Sequence, residues 1–352
     1  MRKAYRSLCS LTLPKSSKMT PIQKHPAIAV LGGGSWATAL IKVLCENNDV
    51  VGWWVRNSDD VEHIQKHQHN PRYLSDVTLD TDKLFVSTDL HAVAGDADVL
   101  ILAVPAAFLA DALEPLQGTL HSKRIISAVK GIIPETHQVV GEWLRDMHGV
   151  PFLQFGAIIG ASHAEEVAME RLSYLSVASR DRALARAMSK NLKTDYMQVK
   201  HIRDIIGSEY ASVIKNIYAI AAGIAHGLGY GDNFQAALVS NAQREMRRFI
   251  KAVHGKRQDI IRTEYSSDLF VTMYSPFSRN RTLGHMIGKG YSLQAAMNEL
   301  GMVAEGYYAA KHIRDVKRQA EVKMPIASAV YKVLYKDVSP KKAIRNLVKK
   351  LD

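Results

Sequence analysis

The sequence predicts an α/β protein in which a doubly wound sheet comes first and an all-helical segment follows. Three observations carry this prediction. Short apolar runs alternate with helix-periodic stretches from residue 27 to about residue 200. The first of these runs opens directly onto a glycine-rich turn and an apolar helix. Past about residue 205 the strand signal fades, and five helical stretches follow.

Length and composition agree with this reading. A chain of 352 residues has room for two domains and a sizeable core. It is 47% apolar and 23% charged, as expected of a soluble globular protein. No uninterrupted apolar run is long enough to span a bilayer, so no integral membrane segment is expected and a cytoplasmic location is. The two cysteines, Cys9 and Cys45, indicate neither a disulfide framework nor a metal cluster. A net charge of +12 favours anionic partners. No dense basic stripe with interleaved aromatics is present, so a phosphorylated small molecule fits better than nucleic acid.

Residues 1–25 differ from the rest. Arg2, Lys3, Arg6, Lys15 and Lys18 are basic, and the first acid in the chain is Glu46. The segment faintly resembles a transit peptide, but its apolar stretch at 8–13 is interrupted and too short for a secretory signal. It reads as a disordered extension, or as a misplaced start with Met19 as the true one. Removal of residues 1–18 is expected to leave folding and catalysis unchanged.

The first strand is expected at 27–31. Gly32, Gly34 and Ala37 then fill a G-x-G-x-x-A pattern, with Ser35 and Trp36 leading into an apolar helix. The first glycine permits the tight turn, the second lets the backbone approach a pyrophosphate, and the third small residue lets helix pack on strand. The helix N-terminus offers free N–H groups to the phosphates. A second strand at 50–55 ends in Arg56, where an NAD site usually has an acid and a 2′-phosphate site an arginine. Arg56 therefore favours acceptance of NADP, although Asp59 and Asp60 follow shortly; stacking on adenine or simple exposure are its other readings.

Further strands are expected at 99–105, 124–129, 152–160 and 174–178, with another at 196–200. The first of these ends at Pro105. The second delivers Lys130 to the carboxyl edge of the sheet, where ligands of such sheets bind; a solvated strand end is its other reading. A dinucleotide-binding domain is thus expected over 26–205 and a helical substrate domain over 206–352.

The helical part opens on the most informative residue. Lys215 is the sole Lys or Arg in residues 208–227, with Ala211 and Ala219 one turn away and Ala222 beyond. A lysine on so apolar a helix is paired, used for chemistry, or snorkels out along its stem. Helices are expected at 209–227, 233–253, 292–316, 324–335 and 340–351. The loop between the second and third carries Asp268, Thr272 and the run Ser278-Arg279-Asn280-Arg281, which could grip a phosphate through a guanidinium fork and a neutral amide.

Beyond residue 25 the chain resembles the bacterial NAD(P)-dependent glycerol-3-phosphate dehydrogenases. The resemblance rests on GGGSWATAL (32–40), VP (104–105), VKG (129–131), IKNIYAIAAGIAHGLGYGDN (214–233), SRNR (278–281), VAEGY (303–307) and MPI (324–326). It implies a Rossmann-type doubly wound sheet followed by an all-helical substrate domain, usually in a homodimer. The implied reaction is reduction of dihydroxyacetone phosphate to sn-glycerol 3-phosphate with NADH or NADPH, feeding phospholipid synthesis.

By motif position, the resemblance makes Lys215 the proton donor to the nascent alkoxide and Lys130 the lysine that polarises the carbonyl. Asp268 and Thr272 complete the catalytic set. Asn216, Arg279 and Asn280 would contact substrate, the last two at its phosphate. Gly32, Gly34, Ser35, Trp36, Arg56, Pro105, Ala164, Arg279 and Glu305 would contact the cofactor, and no metal is called for. Hydride addition to a ketone builds negative charge on oxygen, which a nearby ammonium stabilises and protonates. Burial and the second lysine are expected to bring the pKa of Lys215 toward neutrality, with Asp268 opposing.

Three positions depart from the family pattern. Gly160-Ala161-Ser162-His163-Ala164 lacks the usual proline, Ser266-Ser267 replaces Leu-Gly before Asp268, and Gln235 stands where an arginine is common. Loss of that glycine would disturb a loop that needs positive φ. Two other readings stay open: a related dehydrogenase acting on another phosphorylated or carboxylated hydroxy compound, and a dinucleotide-binding sensor without turnover.

Overall fold

The computed structural model describes residues 27–255 and 262–351. The expectation for residues 1–25 lies outside the described residues. The sheet has eight strands: β1 (Ile28–Leu31), β2 (Val51–Trp54), β3 (Leu84–Ser87), β4 (Val99–Leu102), β5 (Arg124–Ser127), β6 (Phe155–Ile159), β7 (Ser173–Ser179) and β8 (Met197–Ile202). Their spatial order is β3-β2-β1-β4-β5-β6-β7-β8. The first six are parallel, in the order of a Rossmann sheet, and the strand order reverses between β1 and β4. β7 pairs with β6 antiparallel and β8 follows β7 in parallel, so the last two strands run against the rest.

The apolar runs form central strands because both faces of the sheet are covered. In β1, Ala29 and Leu31 enter one hydrophobic cluster while Ile28 and Val30 enter the other. The helix Ser35–Asn47 covers the second face through Ala37, Leu40, Ile41 and Leu44. On the first face the core runs without a break from Leu100 and Phe155 into Ile214, Ile217 and Phe249. The sheet and the helices that follow thus share one apolar core.

The helix Ile205–Gly227 is the axis of the second half. It begins four residues earlier than expected, capped by Asp204, whose Oδ1 accepts from Gly207 N at 3.1 Å. All of its residues but His226 are buried, which explains why its sequence shows no polar face. The helix Arg279–Gly288 packs on it through bare backbone. A Cβ on Gly223 would lie 2.0 Å from the Arg281 carbonyl oxygen, and one on Gly227 would lie 2.4 Å from that of His285. Glycines one turn apart on both helices let the two axes approach closely.

Some expected elements are corrected. Asp268 and Thr272 sit on a helix, Thr263–Tyr274, not in a loop. Arg279, Asn280 and Arg281 form the first turn of the helix Arg279–Gly288, whose cap, Ser278, accepts from Arg281 N. The single helix expected over 292–316 is two, Leu293–Leu300 and Glu305–Gln319, separated at Gly301, which takes φ +60°. Strand β3 was not expected from the sequence.

Candidate active site

The glycine turn lies at the carboxyl end of β1, beside the end of β4. Gly32 adopts φ +129°, and a Cβ there would strike the Ala103 carbonyl oxygen at 2.6 Å. Only glycine can make this turn. Its N–H donates to Trp54 O at 3.0 Å, and its carbonyl accepts from Trp53 Nε1 at 2.7 Å. The Gly33 carbonyl accepts from Asn70 Nδ2 at 3.1 Å, and the same amide donates to Thr38 Oγ1 at 2.9 Å. The turn's carbonyls are thus tied back into the protein.

Gly34 has open space where a side chain would stand, and it caps the helix Ser35–Asn47 without a side-chain bond. The amides of the first turn, from Ser35 and Trp36, face that space with the positive end of the helix dipole. This is a cradle that a Cβ would fill, and it suits a pyrophosphate. Ala37 is fully buried against the sheet, as the third small position requires. Arg56 follows β2 and is exposed.

A cleft of about 180 Å³ continues from this turn between the sheet and the later helices. Trp36, Pro105, Lys130, Ala164, Lys215, Asn216, Asp268, Thr272, Arg279, Asn280 and Glu305 all line it. Residues expected from separate stretches of sequence, from Trp36 to Glu305, therefore converge.

Lys215 is 4% exposed and Asp268 3%. Their side chains form a buried ion pair, and Lys130 Nζ lies 4.0 Å from the same carboxylate oxygen. Asp268 is therefore shared between two lysines. Burial pushes the Lys215 ammonium down to about 7; Asp268 pulls it back up and Lys130 adds to the depression. Lys130 also lies 5.6 Å from the centre of the Trp36 ring. Asn216 donates to the Lys130 carbonyl at 3.0 Å, fastening the end of β5 to the central helix. Thr272 donates to the Asp268 carbonyl one turn back.

The helix Arg279–Gly288 brings its first turn to the cleft. Arg279 is half-buried, and its Nη1 lies 3.4 Å from Val303 O. Asn280 Oδ1 accepts from Gly306 N at 2.8 Å. Glu305 accepts from Ala106 N at 3.2 Å, reaching across from the helical half to the sheet half. Burial raises its pKa, while the Ala106 bond and Arg279 oppose the rise. Gly131 makes room for it: a Cβ there would lie 2.6 Å from Glu305 Oε2.

The departures from the family pattern read differently in the structure. Ser266 and Ser267 are helical, so the replaced glycine meets no demand for positive φ, and Ser266 Oγ accepts from Gln243 at 2.9 Å. Gln235 is buried and donates to the Ala222 carbonyl at 3.1 Å, away from the residues lining the cleft. Sequence reasoning missed Asn70, whose grip on the glycine turn is a contact across 37 residues with no local signature. It also missed Ser162, His163 and Ser278, which line the cleft. All three lay within runs already singled out, and for Ser162 and His163 a polar residue just beyond a strand end was the available signal.

The comparisons with known proteins agree with this geometry. Residues 27–185 match the family model of the NAD-dependent glycerol-3-phosphate dehydrogenase N-terminus, and residues 204–345 that of its C-terminus. The chain is 34% identical to a glycerol-3-phosphate dehydrogenase of Staphylococcus haemolyticus, over 91% of this chain and 97% of the relative. It is 37% identical to one of two from Salinibacter ruber, over 92% and 95%. The crystal structure of glycerol-3-phosphate dehydrogenase from Coxiella burnetii superposes with a TM-score of 0.85 at 30% identity, covering 93% of this chain and 99% of that one. A D-mandelate dehydrogenase at 14% identity and TM-score 0.57 shares the fold alone. The glycine cradle, the shared carboxylate and the matches along both halves lead to one conclusion: the chain belongs to the NAD-dependent glycerol-3-phosphate dehydrogenase family.

Proposed function

We propose that this chain interconverts dihydroxyacetone phosphate and sn-glycerol 3-phosphate, using NADH or NADPH, and so supplies glycerol phosphate for phospholipid synthesis. The observation that carries the reading is Lys215, a buried ammonium paired with Asp268 in a cleft that opens onto the glycine cradle. Residues 26–205 would form the dinucleotide-binding domain and residues 206–352 the substrate domain.

Gly32, Gly34, Ser35, Trp36, Pro105, Ala164 and Glu305 would hold the dinucleotide, which would supply the hydride when bound. Arg279 and Asn280 hold the substrate phosphate at a helix N-terminus, where guanidinium and backbone amides act together. Lys130 polarises the carbonyl. Lys215 stabilises the charge that develops on oxygen and delivers its proton there, leaving a neutral amine beside Asp268. A donor with a pKa near 7 suits this task, since it is protonated at neutral pH and still releases its proton readily. Asp268 holds Lys215 in place, and Thr272 steadies the turn that carries Asp268. Asn216 sets the position of Lys130.

A homodimer in the cytoplasm completes the proposal; the family resemblance supports it. Among the described residues no helix is long and apolar enough to cross a membrane. The test is loss of reduced-nicotinamide absorbance on adding dihydroxyacetone phosphate, run with each cofactor. Cofactor binding without turnover would overturn the reading in favour of a sensor.

A further inference from the structure

His163 lies between β6 and the short helix Ala164–Ala168, on the wall of the same cleft. Its imidazole feels the charges of Lys215, Lys130 and Asp268, and its ring centre is 6.3 Å from that of Phe277. Burial, reinforced by the two lysines, lowers its pKa to about 4, so the ring is neutral at physiological pH. Its Nε2 is buried and makes no hydrogen bond. Such an atom costs stability unless something pairs with it.

Most other polar groups of the cleft are engaged or charged; Trp36 Nε1 is also buried without a bond, but it can only donate and it lies in the first turn of the helix that follows the glycine cradle. Thr272 bonds to Asp268, Asn280 to Gly306, and Glu305 to Ala106. The substrate of the proposed reaction presents three polar groups. Its phosphate calls for Arg279, and its carbonyl oxygen calls for the two lysines. The remaining group is a terminal hydroxyl, which can donate to or accept from the unpaired nitrogen of a neutral imidazole. We infer that His163 is a specificity-determining residue whose imidazole pairs with the terminal hydroxyl of the three-carbon substrate.

This inference rests on the proposed reaction, and its test separates the two. The kcat/KM of the wild type, His163→Leu and His163→Gln is measured with dihydroxyacetone phosphate and with acetol phosphate, which carries a methyl in place of the terminal hydroxymethyl. The wild type should prefer the hydroxylated substrate by roughly tenfold to a hundredfold, the usual cost of leaving one buried polar atom unpaired. His163→Leu should lose most of that preference while using acetol phosphate about as well as the wild type. His163→Gln, which keeps a polar partner, should recover part of it. Cofactor affinity and melting temperature, measured alongside, identify a variant that has merely misfolded, and His163→Gln then decides. A preference unchanged in both variants would overturn the assignment, as would equal losses on both substrates in a folded variant. Failure of the wild type to turn over either compound would instead overturn the proposed reaction.

Discussion

Gly284 presses its α-carbon against the backbone of Ile220: a Cβ on it would stand 2.2 Å from the Ile220 carbonyl oxygen. Ile220 lies on the helix that carries Lys215, and Gly284 on the helix that begins with Arg279. The contact therefore sets the spacing between the proton donor and the residues proposed to hold phosphate.

Gly284→Ala should be strongly destabilising. The obstacle is backbone, which no rotamer change can relieve, so the cost should reach or exceed the usual overpacking penalty of about 1–3 kcal/mol. The shift of the helix should also raise KM for dihydroxyacetone phosphate. Gly231→Ala is the control, because Gly231 has φ −81° and open space around it. Denaturant midpoints for both variants check the prediction, and equal midpoints would contradict it.

Lys215→Ala should reduce kcat by about a hundredfold or more and leave cofactor affinity largely intact, given the usual worth of general-acid help and charge stabilisation. Steady-state kinetics beside a cofactor titration make the check. Activity within about threefold of the wild type would remove Lys215 from the mechanism.

The pH dependence follows from the same group. The Lys215 pKa is lowered to about 7, with Asp268, Lys130 and His163 facing it. Ketone reduction needs the ammonium, so its kcat should be full below about pH 7 and fall as pH rises through that value. Oxidation of glycerol phosphate needs the neutral amine, so it should rise over the same range. Parallel profiles in both directions would mean that another group controls them.

Arg279→Ala should raise KM for dihydroxyacetone phosphate roughly tenfold to over a hundredfold, the worth of charge-assisted bonds of about 1.5–3 kcal/mol. Arg279→Lys should recover only part, since a point charge cannot replace a fork. An effect from Arg281→Ala alone would move the phosphate contact two residues along the same turn.

Arg56→Ala should weaken NADPH more than NADH, because only NADPH carries the 2′-phosphate. Arg56 is exposed at the end of β2, where such a contact would form. Equal effects on the two cofactors would remove it as the discriminator.

The sequence makes some of this molecule plain and conceals the rest for physical reasons. The glycine turn is legible because its steric demand is local: Gly32 needs positive φ and Gly34 needs open space. Lys215 is legible because a lone cation on a buried helix is costly. β3 is not, because an edge strand with mostly half-buried residues carries no continuous apolar run. The reversed direction of β7 leaves no trace in its composition. The helix carrying Asp268 reads as a loop because serines and an aspartate favour turns when considered locally, and packing overrides them. Asn70 and His163 depend on neighbours distant in sequence, so their circumstances become visible only in the folded chain.

The bond from Asn216 to the Lys130 carbonyl has a consequence for how the site meets its substrate. Asn216 is the residue after Lys215, so one hydrogen bond links the supports of both lysines, and Asp268 lies between their side chains. Any breathing of the cleft that keeps this bond carries the two cations together as a rigid unit. Their mutual repulsion is overcome once, when the chain folds, and need not be overcome again at each turnover. The field that meets the incoming carbonyl is preorganised.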